Sequence, residues 1–247
     1  MLKQIPRKLL RKRRTGAVVL VMLLFLVMQA LGSRSSTQTE PDIEQQQVLS
    51  QSDAQLVLAI DALQTLPIKG RAAKTGYSRS EFSDGWARVG NCDVRNLMLG
   101  RDLITVEWAS DNCTVLSGAL DGPYSGQRLP FVRGSDTSDD IQIDHVVALS
   151  DAWQKGAQQL TADVRLQFAN DPLNLLAVDG SLNQQKGDSD VASWLPPNKD
   201  FRCRYVARQI AVKQNYSLWV TEAEQGTMQR ILNSCPDQPL PLVEVTE

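Results

Sequence analysis

Apolar residues in this chain recur at two different spacings, and the spacing changes along its length. Between residues 70 and 134 the signals are mostly β and turn. Ile104, Val106 and Trp108 alternate with Thr105 and Glu107, the pattern of a half-buried strand. Residues 113–120 and 127–132 predict further short strands, with Asp121-Gly-Pro and Ser125-Gly as turns. Elsewhere the spacing is helical. Residues 52–66 carry Leu56, Ile60 and Leu63 on one face, with Ser52 as cap and Pro67 as stop. Residues 150–159 and 161–169 predict two helices, broken by Asn170-Asp171-Pro172. Asp190 predicts a cap for a short helix ahead of Leu195-Pro-Pro. Residues 199–216 form the strongest late helix, and Thr221-Glu-Ala-Glu224 is a capping box that opens the last one.

Between these regions lies the stretch with the most chemistry. Residues 141–149, Ile-Gln-Ile-Asp-His-Val-Val-Ala-Leu, are rich in β-branched and apolar residues and predict a strand. Residues 173–178 predict a second strand, Asp179-Gly180 its turn, and Ser181 the N-cap of a helix through Lys186. The order is strand, excursion, strand, helix. His145 is the only histidine of the chain and follows Asp144 directly. Such a pair, at the end of an apolar strand, fits a metal ligand beside a general base, or an ion pair. Adjacent strand residues point to opposite faces. The two can therefore share a site only if the strand bulges or a metal lies at its edge.

This arrangement resembles the ββα-metal site of HNH nucleases. More closely, it resembles secreted bacterial HNH-endonuclease-like proteins. The segments that carry the resemblance are Asp-His-Val-Val-Ala-Leu (144–149), Asn-Asp-Pro-Leu-Asn-Leu (170–175), Asn-x-x-Lys-Gly-Asp (183–188) and Trp-Leu-Pro-Pro-Asn (194–198). It extends more weakly back to about Gly76, through Tyr77, Arg79, Phe82 and Trp86, and forward to about Cys235. The resemblance implies hydrolysis of nucleic-acid phosphodiesters. His145 would be the general base, Asn174 its orienter, Lys186 a phosphate contact, and Asp144 and Asn183 the metal ligands. A neutral imidazole can take a proton from water at neutral pH, and a hard cation can stabilise the leaving oxygen. Asn183 stands where many relatives carry histidine. Oxygen in place of nitrogen points away from Zn²⁺ and towards Mg²⁺ or Mn²⁺.

The N-terminus changes the charge argument. Residues 1–32 carry seven Lys and Arg and no acid, and Ala17 to Met28 is an unbroken apolar run. That run is short for a membrane span and suits a signal peptide, with residues 17–31 as an anchor if it is not cleaved. Residues 33–51 predict a polar, disordered linker. Taking the seven N-terminal charges from the chain's net −2 leaves about −9 for residues 33–247. Such a chain needs a local basic patch to bind nucleic acid. Residues 199–213 are the first candidate, through Arg204 and Arg208. Arg79, Arg95 and Arg101 are further candidates for phosphate contacts.

Cys92, Cys113, Cys203 and Cys235 lack Cys-x-x-Cys spacing, which disfavours a structural zinc site. With an export signal they predict two disulfides, for which three connectivities exist. Cys92–Cys113 with Cys203–Cys235 is favoured because each closes a local segment.

The expectation is an α+β protein with one globular domain over residues 52–235, a ββα core at 141–190 and a tail at 236–247. It would be an exported endonuclease that uses Mg²⁺ or Mn²⁺ and acts on DNA more readily than RNA. Membrane contact would come only through an uncleaved N-terminus, and oligomeric state stays open. The alternative is an exported or cell-surface binding module on the same scaffold. A serine hydrolase is disfavoured because Gly-x-Ser-x-Gly is absent.

Overall fold

A computed structural model describes residues 56–241. The predicted targeting segment, linker and Ser52 cap lie outside the described residues. The architecture is α+β: small antiparallel sheets with helices packed around them. Strands β1 (Arg88–Val89) and β2 (Cys92–Asp93) form a short ribbon. Strands β3 (Leu103–Trp108), β4 (Val115–Asp121) and β5 (Arg128–Val132) form a meander. Strands β6 (Ile141–His145) and β7 (Leu175–Asp179) pair with each other alone.

The β6–β7 ribbon is buried on both faces, which is why its sequence is nearly continuously apolar. Ile141, Ile143, Leu175 and Ala177 face Leu99, Leu120 and Phe131, from the helix α2 (Val94–Asp102) and the meander. Leu176 and Val178 face Tyr124, Phe201 and Tyr205. Helix α5 (Gly180–Lys186) follows β7 directly and packs on the ribbon.

Helix α1 (Ala59–Leu63) packs against the late helices α6 (Arg202–Asn215) and α7 (Glu222–Leu232). Helices α3 (Leu149–Gln154) and α4 (Ala162–Asn170) fill the excursion between β6 and β7. The capping box of α7 is present, with Thr221 and Glu224 each accepting from the other's backbone N–H. Glu224 also belongs to a buried charge cluster. Its Oε2 lies 2.6 Å from Lys155 Nζ and its Oε1 3.0 Å from Lys213 Nζ. Lys155 further contacts Asp151 and Asp190, each at 2.8 Å. The cluster thus ties α3, α6 and α7 to the loop that follows α5.

Several expectations change. Helix α2 lies where mostly strand and turn were expected. Asp93 caps it by accepting from Asn96 N, and Gly100 interrupts its apolar pattern. A Cβ at Gly100 would lie 2.3 Å from the Trp108 ring, so the helix gives up a good helix former to let the indole in. In β3 the register shifts between Ile104 and Glu107, and Thr105 takes a φ of 51°. That irregularity leaves Ile104 and Trp108 exposed rather than half-buried. Asp190 caps a turn, accepting from Ala192 N and Ser193 Oγ, and no helix follows before Leu195. Of the expected tail, residues 238–240 pair with residues 57–59 through Ala59 N to Gln238 O and Leu240 N to Val57 O, both 2.9 Å. The structure joins Cys92 to Cys113 and Cys203 to Cys235, and the second bridge links α6 to the turn that follows α7.

Candidate active site

All five β6 residues stay in register with β7, from Ile141 opposite Asp179 to His145 opposite Leu175. The strand therefore does not bulge, and Asp144 and His145 do point to opposite faces. They meet at an edge instead. A cleft of about 470 Å³ opens there, lined by Gln142, Asp144 and His145. Asn183 and Asp188 form a second side, and Tyr77 and Arg79 a third.

His145 is buried. Its Nε2 lies 2.9 Å from the carbonyl oxygen of Ala169, at the end of α4. A carbonyl only accepts, so Nε2 carries the proton and Nδ1 keeps a lone pair. Trp86 stacks on the ring, with centroids 6.0 Å apart and planes 7° from parallel. Burial is the main cause that holds the imidazole's pKa down to about 3, and the charges of Arg79 and Lys186 add to it. The ring is therefore neutral at every pH near 7.

Asn174 is fully buried, and its side chain bonds to the backbone around His145 and not to the ring. Its Oδ1 accepts from Val147 N at 2.9 Å, and its Nδ2 donates to Val147 O and Phe168 O. Its own backbone oxygen accepts from Val146 N at 2.8 Å. Asn174 thus fixes the chain on both sides of the imidazole, at Val147 and at Phe168. The ring itself is oriented by Ala169 and Trp86.

On the other face, Asp144 is held by two donors. Tyr124 Oη donates to its Oδ2 at 2.5 Å and Lys186 Nζ to its Oδ1 at 2.9 Å. Lys186 also donates to the backbone oxygen of His145 at 2.9 Å. Burial pushes the Asp144 carboxyl up, and Lys186 and Tyr124 pull it back. Lys186 is itself buried under the strand and does not line the cleft, so it is not placed to meet a phosphate there. Asn183, one turn earlier on α5, donates from Nδ2 to Gln142 Oε1 at 2.8 Å. Its Oδ1 remains available.

These donors can be tested against a divalent cation. A carboxylate has about four lone-pair sites, and two of those on Asp144 are used. Asn183 Oδ1 and Gln142 Oε1 add neutral oxygens from the same face of the site. Among the described residues no group of three or more His, Cys, Asp or Glu side chains is placed to hold a metal. The set is all oxygen with one carboxylate. It fits a Mg²⁺-type ion that keeps most of its waters, and it does not fit Zn²⁺.

The arginines of the cleft are not those expected on α6. Arg208 donates to the carbonyls of Pro172, Leu173 and Leu175, and Arg101 reaches the first and last of these. Both clamp the entry to β7. Lys213 is buried in the charge cluster. Helix α6 therefore presents no continuous basic face; Arg204 alone of the expected pair is exposed, over the Phe201 ring. Arg79 and Arg95 line the cleft instead.

Sequence reasoning missed Tyr124 and Gln142. Tyr124 sits in a Gly-Pro-Tyr-Ser-Gly turn, where a large aromatic between turn residues was the available signal. Gln142 lies two positions before Asp144, and strand alternation alone puts both on one face.

Residues 103–231, just over half of the chain, match the family described as GmrSD restriction endonucleases, C-terminal domain. An uncharacterized secreted protein of Arthroderma benhamiae is 37% identical over 175 residues, which cover 70% of this chain and 82% of that protein. The matched residues take in β6, β7 and α5 and hence the whole strand–strand–helix unit around the cleft. On these grounds the chain belongs to the family of GmrSD restriction endonuclease C-terminal domains.

Proposed function

We propose that the protein is an exported endonuclease that hydrolyses nucleic-acid phosphodiester bonds with a divalent cation, DNA more readily than RNA. The observation that carries this reading is the cleft along the open edge of β6. It brings a neutral, backbone-anchored imidazole and an all-oxygen donor set to one opening. The family relationship supports a nuclease, and the secreted relative and two disulfides support export.

In the proposed mechanism, His145 Nδ1 takes a proton from water. The water oxygen forms a bond to phosphorus as the bond from phosphorus to the leaving oxygen breaks; the leaving oxygen takes a proton from solvent, and His145 returns its own to solvent. Ala169 holds the tautomer that leaves Nδ1 free, and Asn174 fixes the backbone that carries the ring. Asp144 and Asn183, with Gln142 beside them, would hold Mg²⁺ or Mn²⁺, which when bound supplies relief of charge on the phosphate and leaving oxygen. Tyr124 and Lys186 keep the Asp144 carboxylate in place. Purified, oxidised full chain should cleave plasmid with Mg²⁺ or Mn²⁺ and lose that cleavage in EDTA. Undiminished cleavage in EDTA would defeat the metal assignment.

One observation favours a second reading, a binding module on the same scaffold. Lys186 already neutralises the cleft's one carboxylate ligand, and Asn183 brings no charge. That reading predicts no cleavage of plasmid, single-stranded DNA or RNA by folded protein.

A further inference from the structure

The segment ahead of the matched family residues builds one wall of the cleft. Arg71 anchors it by ion pairs to Asp190 at 2.6 Å and Asp151 at 3.2 Å. Lys74 adds an ion pair to Asp188 at 3.0 Å, and Trp153 Nε1 donates to Thr75 O. Asp188 and Asp190 follow α5, so the wall is fastened to the same unit that presents Asn183. The chain then turns through a 3₁₀ turn, Arg79–Glu81.

Nearly every arginine guanidinium among the described residues is already committed. Those of Arg101 and Arg208 hold carbonyls, that of Arg71 holds acids, and Arg133 binds Asn96. Arg95 lines the cleft, but its Nη2 donates to Ser138 O at 3.0 Å and Ile141 O at 3.3 Å, where it secures the start of β6. Only Arg79 and Arg204 make no hydrogen bond or ion pair among the described residues, and Arg204 is on α6, outside the cleft. Arg79 is exposed and borders the main cleft. It also borders a side cavity of about 170 Å³ shared with His145 and Trp86. An unpaired guanidinium at the junction of two cavities beside the imidazole is placed for a diester phosphate, which it can grip with paired N–H donors.

We propose that Arg79 is the residue that contacts the substrate phosphate in this cleft. The inference rests on the nuclease reading, and it answers the charge problem of an acidic chain: one uncommitted cation at the site replaces an extended basic patch.

The test compares full-length wild type with Arg79→Ala, Arg79→Lys and Arg128→Ala across a salt series. Arg128 serves as the charge-matched control, because its exposed partner is Asp121 on the meander. Arg79→Ala should lower kcat/KM by about 10-fold or more, as for a lost charged hydrogen bond. It should reduce the slope of log binding against log salt by about 1, one phosphate contact. Arg79→Lys should restore the slope and part of the rate, and Arg128→Ala should change neither. Melting curves of the variants should overlay that of wild type. An unchanged salt slope in Arg79→Ala would overturn the proposal. So would a shifted pH profile of kcat with wild-type binding, which would mean that Arg79 acts through His145. If the wild type cleaves nothing, the nuclease reading falls separately. Binding of labelled single-stranded DNA in EDTA then decides, and equal binding by wild type and Arg79→Ala overturns the contact.

Discussion

His145 is neutral because it is buried, and burial fixes the sign of its effect on stability. Its pKa is about 3 in the folded chain and about 6.5 in the unfolded one. Between those values the unfolded chain binds a proton that the folded chain does not. The contribution is therefore complete above pH ~6.5 and is lost as pH falls towards 3. Asp190, held down to about 2 against its own burial chiefly by Lys155, loses its contribution below the usual carboxylate pKa and adds to acid lability. A His145→Asn variant, which can still donate to Ala169 O, should lose less melting temperature between pH 6.5 and pH 4 than wild type does. Equal losses would contradict the burial argument. Lys186 has a different role from the one its sequence position suggested. Spacing along α5 put it on the right face, but spacing does not show depth, and the ammonium ends beneath β6 on Asp144. Lys186→Met should leave a buried carboxylate unpaired and cost about 3–5 kcal/mol in urea unfolding. Adding Asp144→Asn should recover part of it, and a cost near zero would place the pair in solvent.

At the scale of elements, the two strands of the motif were legible because a ribbon buried on both faces needs continuous apolar sequence. Helix α5 was legible, but its start was not. Ser181 was the expected cap, yet the helix begins at Gly180, with Asp179 as N-cap and no side-chain capping bond. The cause is tertiary. Gly180 N donates to Asp140 O at 2.8 Å, and a Cβ at Gly180 would lie 2.0 Å from Asp139 O. The chain before β6 therefore lies directly against the β7–α5 junction. Gly180→Ala should destabilise by about 1–3 kcal/mol, as overpacking does, and should also lower activity, because displacing the junction moves Asn183. Wild-type stability in that variant would show that the loop yields freely. Helix α2 was hidden for a similar reason, since Gly100 answers to the Trp108 ring and not to helix propensity. Neither approach of distant chain is visible in a local pattern.

Across the whole molecule the basic residues do not gather into one face. An acidic chain was expected to carry one on α6, but that helix turns Lys213 into the buried cluster with Glu224 and spends Arg208 on the carbonyls before β7. The one uncommitted cation at the cleft, Arg79, comes from a wall that precedes the family's matched residues. Resemblance pointed to Tyr77 and Arg79, while their meeting with β6 depends on Arg71, Lys74 and the aromatic contact of Tyr77 with Trp153, centroids 6.1 Å apart. Asp144, His145 and Asn183 were legible as side chains of one cleft, and the edge-on geometry that brings Asp144 and His145 to it was legible only as one of two possibilities. In the proposed reaction the imidazole at this edge is the base of a nuclease. The most direct measurement is metal-dependent plasmid cleavage by the full chain beside His145→Ala, both shown to be folded by near-ultraviolet circular dichroism. Cleavage should fall by about 10²-fold or more in the variant, the low end for a lost general base. Cleavage at the wild-type rate by folded His145→Ala would contradict it.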